Sequence, residues 1–259
     1  MKTMVDINCD MGESFGAYRI GRDKEVIQYI TSANIACGFH ASDPNVMEET
    51  LRLCREYRVM AGAHPGYPDL LGFGRRHLDV SLPELINYVI YQVGALQGFS
   101  SFLGMRLQHV KMHGALYNNL VNREEFFLDI ITAVKKAFGD LIFFTLTTQR
   151  TADLKKICQQ KGLRLALEAF PDRNYTDEGE LLSRKHKEAV LKNPDTIAER
   201  AVRMVKDQGI ESVKGHWINL NVDTLCIHGD NPESIEAAKK MRAAFKRAGI
   251  KVCPAAEFL

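Results

Sequence analysis

The sequence predicts an α/β fold: a single TIM-like (β/α) barrel of seven or eight strands spanning residues 1–259. Three observations predict it. Short β-like runs alternate with long amphipathic runs along the whole chain, the mark of repeated βα units with parallel strands. Polar and ionisable residues gather at, or just past, the C-terminal ends of the predicted strands. A length of 259 residues, with no linker or shift in composition, suits one barrel.

The strand candidates are 4–9 (MVDINC), 33–37 (ANIAC), 58–63 (RVMAGA), 107–112 (LQHVKM), 141–147 (LIFFTLT), 163–169 (LRLALEA) and 224–228 (TLCIH), with an eighth at 250–253 (IKVC). The first alternates in an unusual way. Asp6, Asn8 and Asp10 fall on one side, and Ile7, Cys9 and Met11 on the other. Strands of a βα repeat are normally buried on both faces. The polar set is therefore expected to point into the barrel, with Asp10 at its mouth, while Ile7 and Cys9 pack against helices.

Helices are expected at 42–57, 81–98, 123–138, 149–161, 194–208 and 232–248. The first has Ser42 or Asp43 to cap it and Pro44 in its first turn. The second opens with Ser81 and Glu84 at capping-box spacing. Gly139, Gly162, Gly209 and Gly249 stand where helices end.

A hydrophobic content of 46%, 25% charged residues and a net charge of +2 describe a globular chain without a field for nucleic acid or membranes. "MKTMVDINCD" meets charge too early for a secretory signal, and no apolar run approaches a membrane span. Six scattered cysteines without a CxxC read as reduced thiols in the cytoplasm. Self-association into a homo-oligomer is compatible with this composition.

The candidate site follows from the strand ends. Strand one ends with Asn8 and Asp10, strand two runs to His40, strand three to His64, and strand four carries Lys111 and His113. Strand six leads to Glu168, Asp172 and Arg173, and strand seven to His228 and Asp230. In a βα barrel these ends converge on the face that holds the active site. Asp6 and the deeper His109 suit structural roles in the interior, and His77 and His186 lie in loop or helix contexts. Glu168 suits a buried partner for Arg173 or Lys111. Arg75 and Arg76, after the glycine-flanked "GFGRR", suit anion recognition or simple solvation equally.

No metal is assigned. No HxH or HExxH falls where one strand mouth would project two ligands, and His109 and His113 stand about 13 Å apart along a strand. A centre built from Asp10, His40 and His64 stays open.

"DINCDMGESFG", "NIACGFHASDP", "GAHPGYPDLLGFGRR", "VKMHGALYN", "EAFPDRNYTDEGELLSR" and "CIHGDNP" resemble, in order, the motifs of the LamB/YcsF family, from residue 5 to about 254. The stretch 211–222 matches only in length and polarity. The resemblance implies a (β/α) barrel related to glycoside hydrolase and deacetylase barrels. It implies ATP-dependent opening of 5-oxo-L-proline to L-glutamate, with subunits B and C as partners. It would place Asp10, His40, His64, Lys111, His113, Arg173 and His228 in the pocket.

The residues suit that chemistry. The substrate carboxylate wants Arg173 or Lys111, with Asn8, Arg75 and Asp230 as further binding candidates. A water nucleophile wants a base, which His64, His113 or Asp10 supplies. Developing negative charge wants donors such as Lys111 and His228. The expected cofactor is ATP with Mg, yet no GxxxxGK[ST] and no kinase-type Gly-rich loop is present. Either an unrecognised loop set binds nucleotide, or subunits B and C supply the phosphorylation. Two other classes stay open: a metal-dependent deacetylase or amidohydrolase, and a non-catalytic lactam-binding subunit.

Overall fold

Seven parallel strands close into a barrel in the computed structural model, which describes residues 2–183, 185–229 and 232–259. The strands are β1 (Met4–Met11), β2 (Ser32–Ala36), β3 (Met60–His64), β4 (His109–Lys111), β5 (Ile142–Leu146), β6 (Arg164–Ala169), the hairpin β7 (Gly209–Glu211) and β8 (Trp217–Asn219), then β9 (Thr224–Ile227) and β10 (Lys251–Val252). The wall runs β1-β2-β3-β4-β5-β6-β9 and closes where Asp6 to Cys9 of β1 pair with Thr224 to Ile227 of β9. The expected eighth strand exists as β10, but it pairs with β1 at Met4 and Val5, below that closure. Because β9 already fills the same edge of β1 higher up, the barrel closes at seven.

Around the wall lie α1 (Asp23–Val26), α2 (Pro44–Tyr57), α3 (Leu82–Phe102), α4 (Gly114–Val121), α5 (Glu124–Phe138), α6 (Thr151–Gln160), α7 (Pro194–Asp207) and α8 (Pro232–Ala248). Among the described residues, no helix is long and apolar enough to cross a membrane.

Several local expectations are refined. Asp43, not Ser42, caps α2, accepting from the amides of Asn45 and Val46 at 2.9 and 3.1 Å. Ser81 precedes α3 without a side-chain cap bond, and Glu84 instead accepts from the Tyr88 hydroxyl at 2.6 Å, so the capping box does not form. Helix α7 ends on Gln208 in the left-handed region, not on Gly209. Gly209 is small for another reason: a Cβ there would stand 2.6 Å from the Ile218 carbonyl oxygen across the hairpin. The short α1 and the separate α4 were not expected, since neither is long enough to show a helical period.

Ile7, Cys9 and Met11 of β1 face the helices and are buried. Asp6, Asn8 and Asp10 face inward, as their alternation requires. The lower interior is apolar, with Ile142, Phe144 and Ala166 packed under Ala255 and Leu259 of the C-terminal segment. Above and beside it runs a hydrogen-bonded polar layer, where barrels usually stack branched aliphatics. Asp6 accepts from Thr31, Ser32 and Thr224 at 2.7, 2.6 and 2.5 Å. Burial nevertheless pushes its carboxyl up to about 6. Asn8 donates to Thr224 Oγ1 (2.8 Å) and accepts from Asn34 Nδ2 (2.7 Å). His109 Nε2 donates to Asn34 Oδ1 at 2.7 Å, and its ring stacks on Phe144 at 4.2 Å between centroids. Gly62 makes room for that ring, since a Cβ there would fall 2.3 Å from it. Each member satisfies another, which is what makes a buried polar layer tolerable.

Candidate active site

At the C-terminal mouth of the barrel a cavity of about 490 Å³ opens above Asp10, His64, Lys111 and His113. The βα geometry puts them there: Asp10 lies near the end of β1, His64 ends β3, Lys111 ends β4, and His113 precedes α4.

Lys111 sits one layer down. Its ammonium lies 3.0 Å from Asp10 Oδ1 and 2.9 Å from Glu168 Oε1, and it also donates to Asn8 Oδ1 at 3.2 Å. Burial pulls its pKa down, but Asp10, Cys226 and Glu168 outweigh that and hold it well above the usual lysine range. Glu168 is the expected buried partner, and its Oε2 accepts from the Tyr117 hydroxyl at 2.6 Å. Asp10 also accepts from Asn34 at 2.8 Å, and its Oδ2 lies 3.3 Å from His64 Nε2. Burial raises its carboxyl; His64 and Lys111 more than reverse this and keep it well below the usual carboxylate range. It is a fixed anion beside a fixed cation.

His64 Nδ1 bonds the Lys111 carbonyl oxygen at 2.7 Å, and His113 Nε2 bonds the Phe73 carbonyl oxygen at 2.8 Å. The remaining nitrogens face each other at 3.0 Å. His40 is fully buried behind them, stacked on His113 at 3.6 Å with the planes 3° apart. Burial pulls both His40 and His113 well below the usual imidazole range, and the facing rings add to the effect on each.

The other expected site residues spread more widely. His228 lines the cavity and its Nδ1 pairs with Asp172 Oδ2 at 2.7 Å. Burial raises the Asp172 carboxyl, but His228 outweighs it, so the carboxyl ends low. Arg75 lines the cavity with its guanidinium 5.0 Å from the Phe73 ring centre. Arg173 also lines it, while donating to the carbonyls of Ala189 and Leu182 and so tethering the long segment between β6 and α7. Asn8 lies beneath the floor rather than on it, among Thr224, Asn34 and Lys111. Asp230 lies outside the described residues.

Glu13 was missed. It follows the end of β1, where Gly12, at φ +66°, turns the chain back over the mouth. Its Oε1 reaches 3.6 Å from His113 Nδ1 and 3.5 Å from His40 Nε2, and is buried without a hydrogen-bond partner. Burial, then the neighbouring Asp10, raises its carboxyl. The signal was its place just past a strand end, the same rule that picked Asp10. Asp23 of α1 also reaches the cavity; it accepts from the Gly12 amide at 2.8 Å, and burial pushes its carboxyl up to about 6.

Fold and site together define a (β/α)-barrel protein with a polar, charge-paired chemical centre at its C-terminal mouth. The chain belongs to the LamB/YcsF family, whose sequence profile matches residues 5–259. It is 49% identical over 255 residues to the A subunit of 5-oxoprolinase from Pyrococcus horikoshii, covering 98% of this chain and 99% of that one. It is 44% identical over 255 residues to the Campylobacter jejuni protein of the same name, with the same coverage. A crystal structure of a lactam utilization protein from Thermus thermophilus superposes with a TM-score of 0.88 at 40% identity, over 96% of this chain and 99% of that one.

Proposed function

We propose that this chain is the A subunit of a 5-oxoprolinase and opens the ring of 5-oxo-L-proline to L-glutamate in an ATP-dependent reaction. The observation that carries the reading is the ion-paired Asp10–Lys111 floor under a cavity sized for a small lactam, in a chain that matches relatives of that name end to end. Water adds across the amide C–N bond: the carbonyl carbon gains the hydroxyl oxygen, and the ring nitrogen gains a proton. An unactivated amide resists this: ATP phosphorylates the amide oxygen and leaves as ADP, attack of water with cleavage of the C–N bond leaves a γ-glutamyl phosphate, and a second water releases phosphate to give glutamate.

The chain's own residues serve the remaining steps. Arg75 and Arg173 line the cavity as cationic partners for the substrate carboxylate. Asp10, ionised beside Lys111, accepts hydrogen bonds from substrate or water. Lys111 and His228 donate toward developing negative charge. His64, 3.3 Å from Asp10, and His113, 3.6 Å from Glu13, take the proton of the attacking water at their inward-facing nitrogens.

In this reading the phosphoryl donor, ATP with Mg, is handled together with subunits B and C, because the sequence carries neither a P-loop nor a kinase-type glycine loop. Its six cysteines are all unpaired and buried, in keeping with a cytoplasmic location. The test is glutamate release from 5-oxoproline and ATP by the chain alone and with subunits B and C. Turnover only with all three supports the whole reading. Full turnover by the chain alone overturns the division of labour, and no turnover in any combination overturns the substrate. A second reading, a metal-dependent amidohydrolase, is favoured by the convergence of Glu13, His64 and His113; hydrolysis of a small amide without ATP would select it.

A further inference from the structure

We propose that His64, His113 and Glu13, with Asp10 beside them, hold one divalent transition-metal ion at the mouth of the barrel. A carbonyl oxygen can only accept, so His64 Nδ1, 2.7 Å from the Lys111 carbonyl, carries a hydrogen. So does His113 Nε2, 2.8 Å from the Phe73 carbonyl. In neutral rings both remaining nitrogens, His64 Nε2 and His113 Nδ1, are bare lone pairs, and they point at each other across 3.0 Å. With both rings neutral, two lone pairs at that distance repel, so the pair needs either a proton or a metal ion between or beside them.

A carboxylate oxygen flanks each of these nitrogens. Glu13 Oε1 lies 3.6 Å from His113 Nδ1, and Asp10 Oδ2 lies 3.3 Å from His64 Nε2. A single proton shared by the two rings would leave Glu13 Oε1 as it stands, buried and unpartnered. A metal ion engages Glu13 together with both rings, which lie in one cluster within 4.8 Å, and Asp10 stands beside it on the His64 side. The spacing suits it: two ligands with bonds of about 2.1 Å at roughly a right angle stand about 3.0 Å apart. The outer contacts suit it as well. Metal-bound histidines commonly give their distal N–H to a backbone carbonyl, which fixes ring orientation and tautomer.

His40 belongs to the same cluster, within 4.8 Å. Its ring, however, is parallel to His113 at 3.6 Å, and one ion cannot lie in both ring planes. His40 therefore acts as a positioning residue, with its Nε2 3.5 Å from Glu13 Oε1. The donor set, two imidazoles and a carboxylate with a second carboxylate beside it, selects an ion of the zinc, manganese or iron(II) kind over calcium.

An ion there takes the two nitrogens that would otherwise accept a proton, so the metal-loaded chain uses His64 and His113 as ligands and not as bases; the site does not depend on which substrate the cavity takes, and no substrate is needed to detect it. The purified chain is stripped with a chelator and titrated with Co2+ and Zn2+, following visible absorption, calorimetric stoichiometry and thermal unfolding. One equivalent per chain is expected, with cobalt bands that zinc displaces and a higher melting temperature. Glu13→Gln and His113→Gln should each weaken binding at least tenfold, while the metal-free variants melt like the metal-free parent. His216→Gln, at an exposed hairpin position, should bind normally. Absence of stoichiometric binding by the folded parent, or binding that both site variants leave intact, overturns the proposal. Should one variant fail to fold, the other decides, and X-ray absorption of the cobalt-loaded parent without imidazole scattering would be equally fatal.

Discussion

The Lys111 ammonium stands 3.0 Å from the Asp10 carboxylate and is almost wholly shielded from water, with Asp10 on its cavity side and Glu168, 2.9 Å away, on its inner side. One cation thus neutralises a carboxylate of the interior and a carboxylate of the cavity. This coupling shapes what substitution will do.

Lys111→Met should damage both rate and stability. It leaves Glu168 as a buried carboxylate without its counter-charge, and breaking such a pair typically costs about 3–5 kcal/mol. Turnover, measured with subunits B and C, should fall roughly a hundredfold or more. Adding Glu168→Gln should recover most of the melting temperature and none of the rate. Near wild-type turnover in the folded single variant would confine Lys111 to a structural role.

His113→Gln separates chemistry from packing in the other direction. The ring is buried at the mouth against His40, and a glutamine amide can still donate to the Phe73 carbonyl that His113 Nε2 bonds, so unfolding should shift little. Glutamate formation should drop about a hundredfold, the scale of a lost proton-transfer group. A large loss of stability with an unchanged rate per folded molecule would contradict this assignment.

His109 makes stability depend on pH. Burial, aided by Lys111, lowers its pKa from 6.5 to about 3. The unfolded chain binds a proton that the folded chain refuses between those values, so stability is full above about 6.5 and falls as pH drops toward 3. The contribution is on the order of 5 kcal/mol across that window. Denaturant unfolding between pH 7 and 4 should show the decline, and His109→Gln should flatten it. An identical slope in parent and variant would place the dependence elsewhere.

Gly62→Ala tests the polar layer. The added methyl would meet the His109 ring at 2.3 Å, and that ring is pinned by Asn34 and Phe144. Overpacking of this kind costs typically about 1–3 kcal/mol, read as a lower denaturation midpoint. The same change in the His109→Gln background should cost less, since the flexible amide can yield.

Much of the architecture was legible before any tertiary contact was known. Alternation on β1 assigned Asp6, Asn8 and Asp10 to one face, because successive strand side chains point in opposite directions whatever the fold. The βα rhythm marked all seven wall strands, and the strand-end rule picked Asp10, His64, Lys111, His113 and His228, all of which reach the cavity. A buried ammonium needs a counter-charge, for which Asp6, Asp10 and Glu168 were the carboxylates on offer to Lys111; it faces Asp10 and Glu168 and not Asp6.

What the sequence by itself determined was which residues stand on which face and at which end of each strand, because backbone periodicity is local. Only the tertiary structure decided the distances between strands and loops. It set closure at seven strands, because β9 occupies the edge of β1 that an eighth would need. It put His40 behind His113 and Asn8 beneath the floor, and it engaged Arg173 with the carbonyls of Ala189 and Leu182. It also brought Glu13 over the mouth, through a left-handed turn at Gly12 whose direction depends on the loop's packing against Asp23 and Thr50. Register and loop path are fixed by packing among segments far apart in sequence, and no local pattern encodes them.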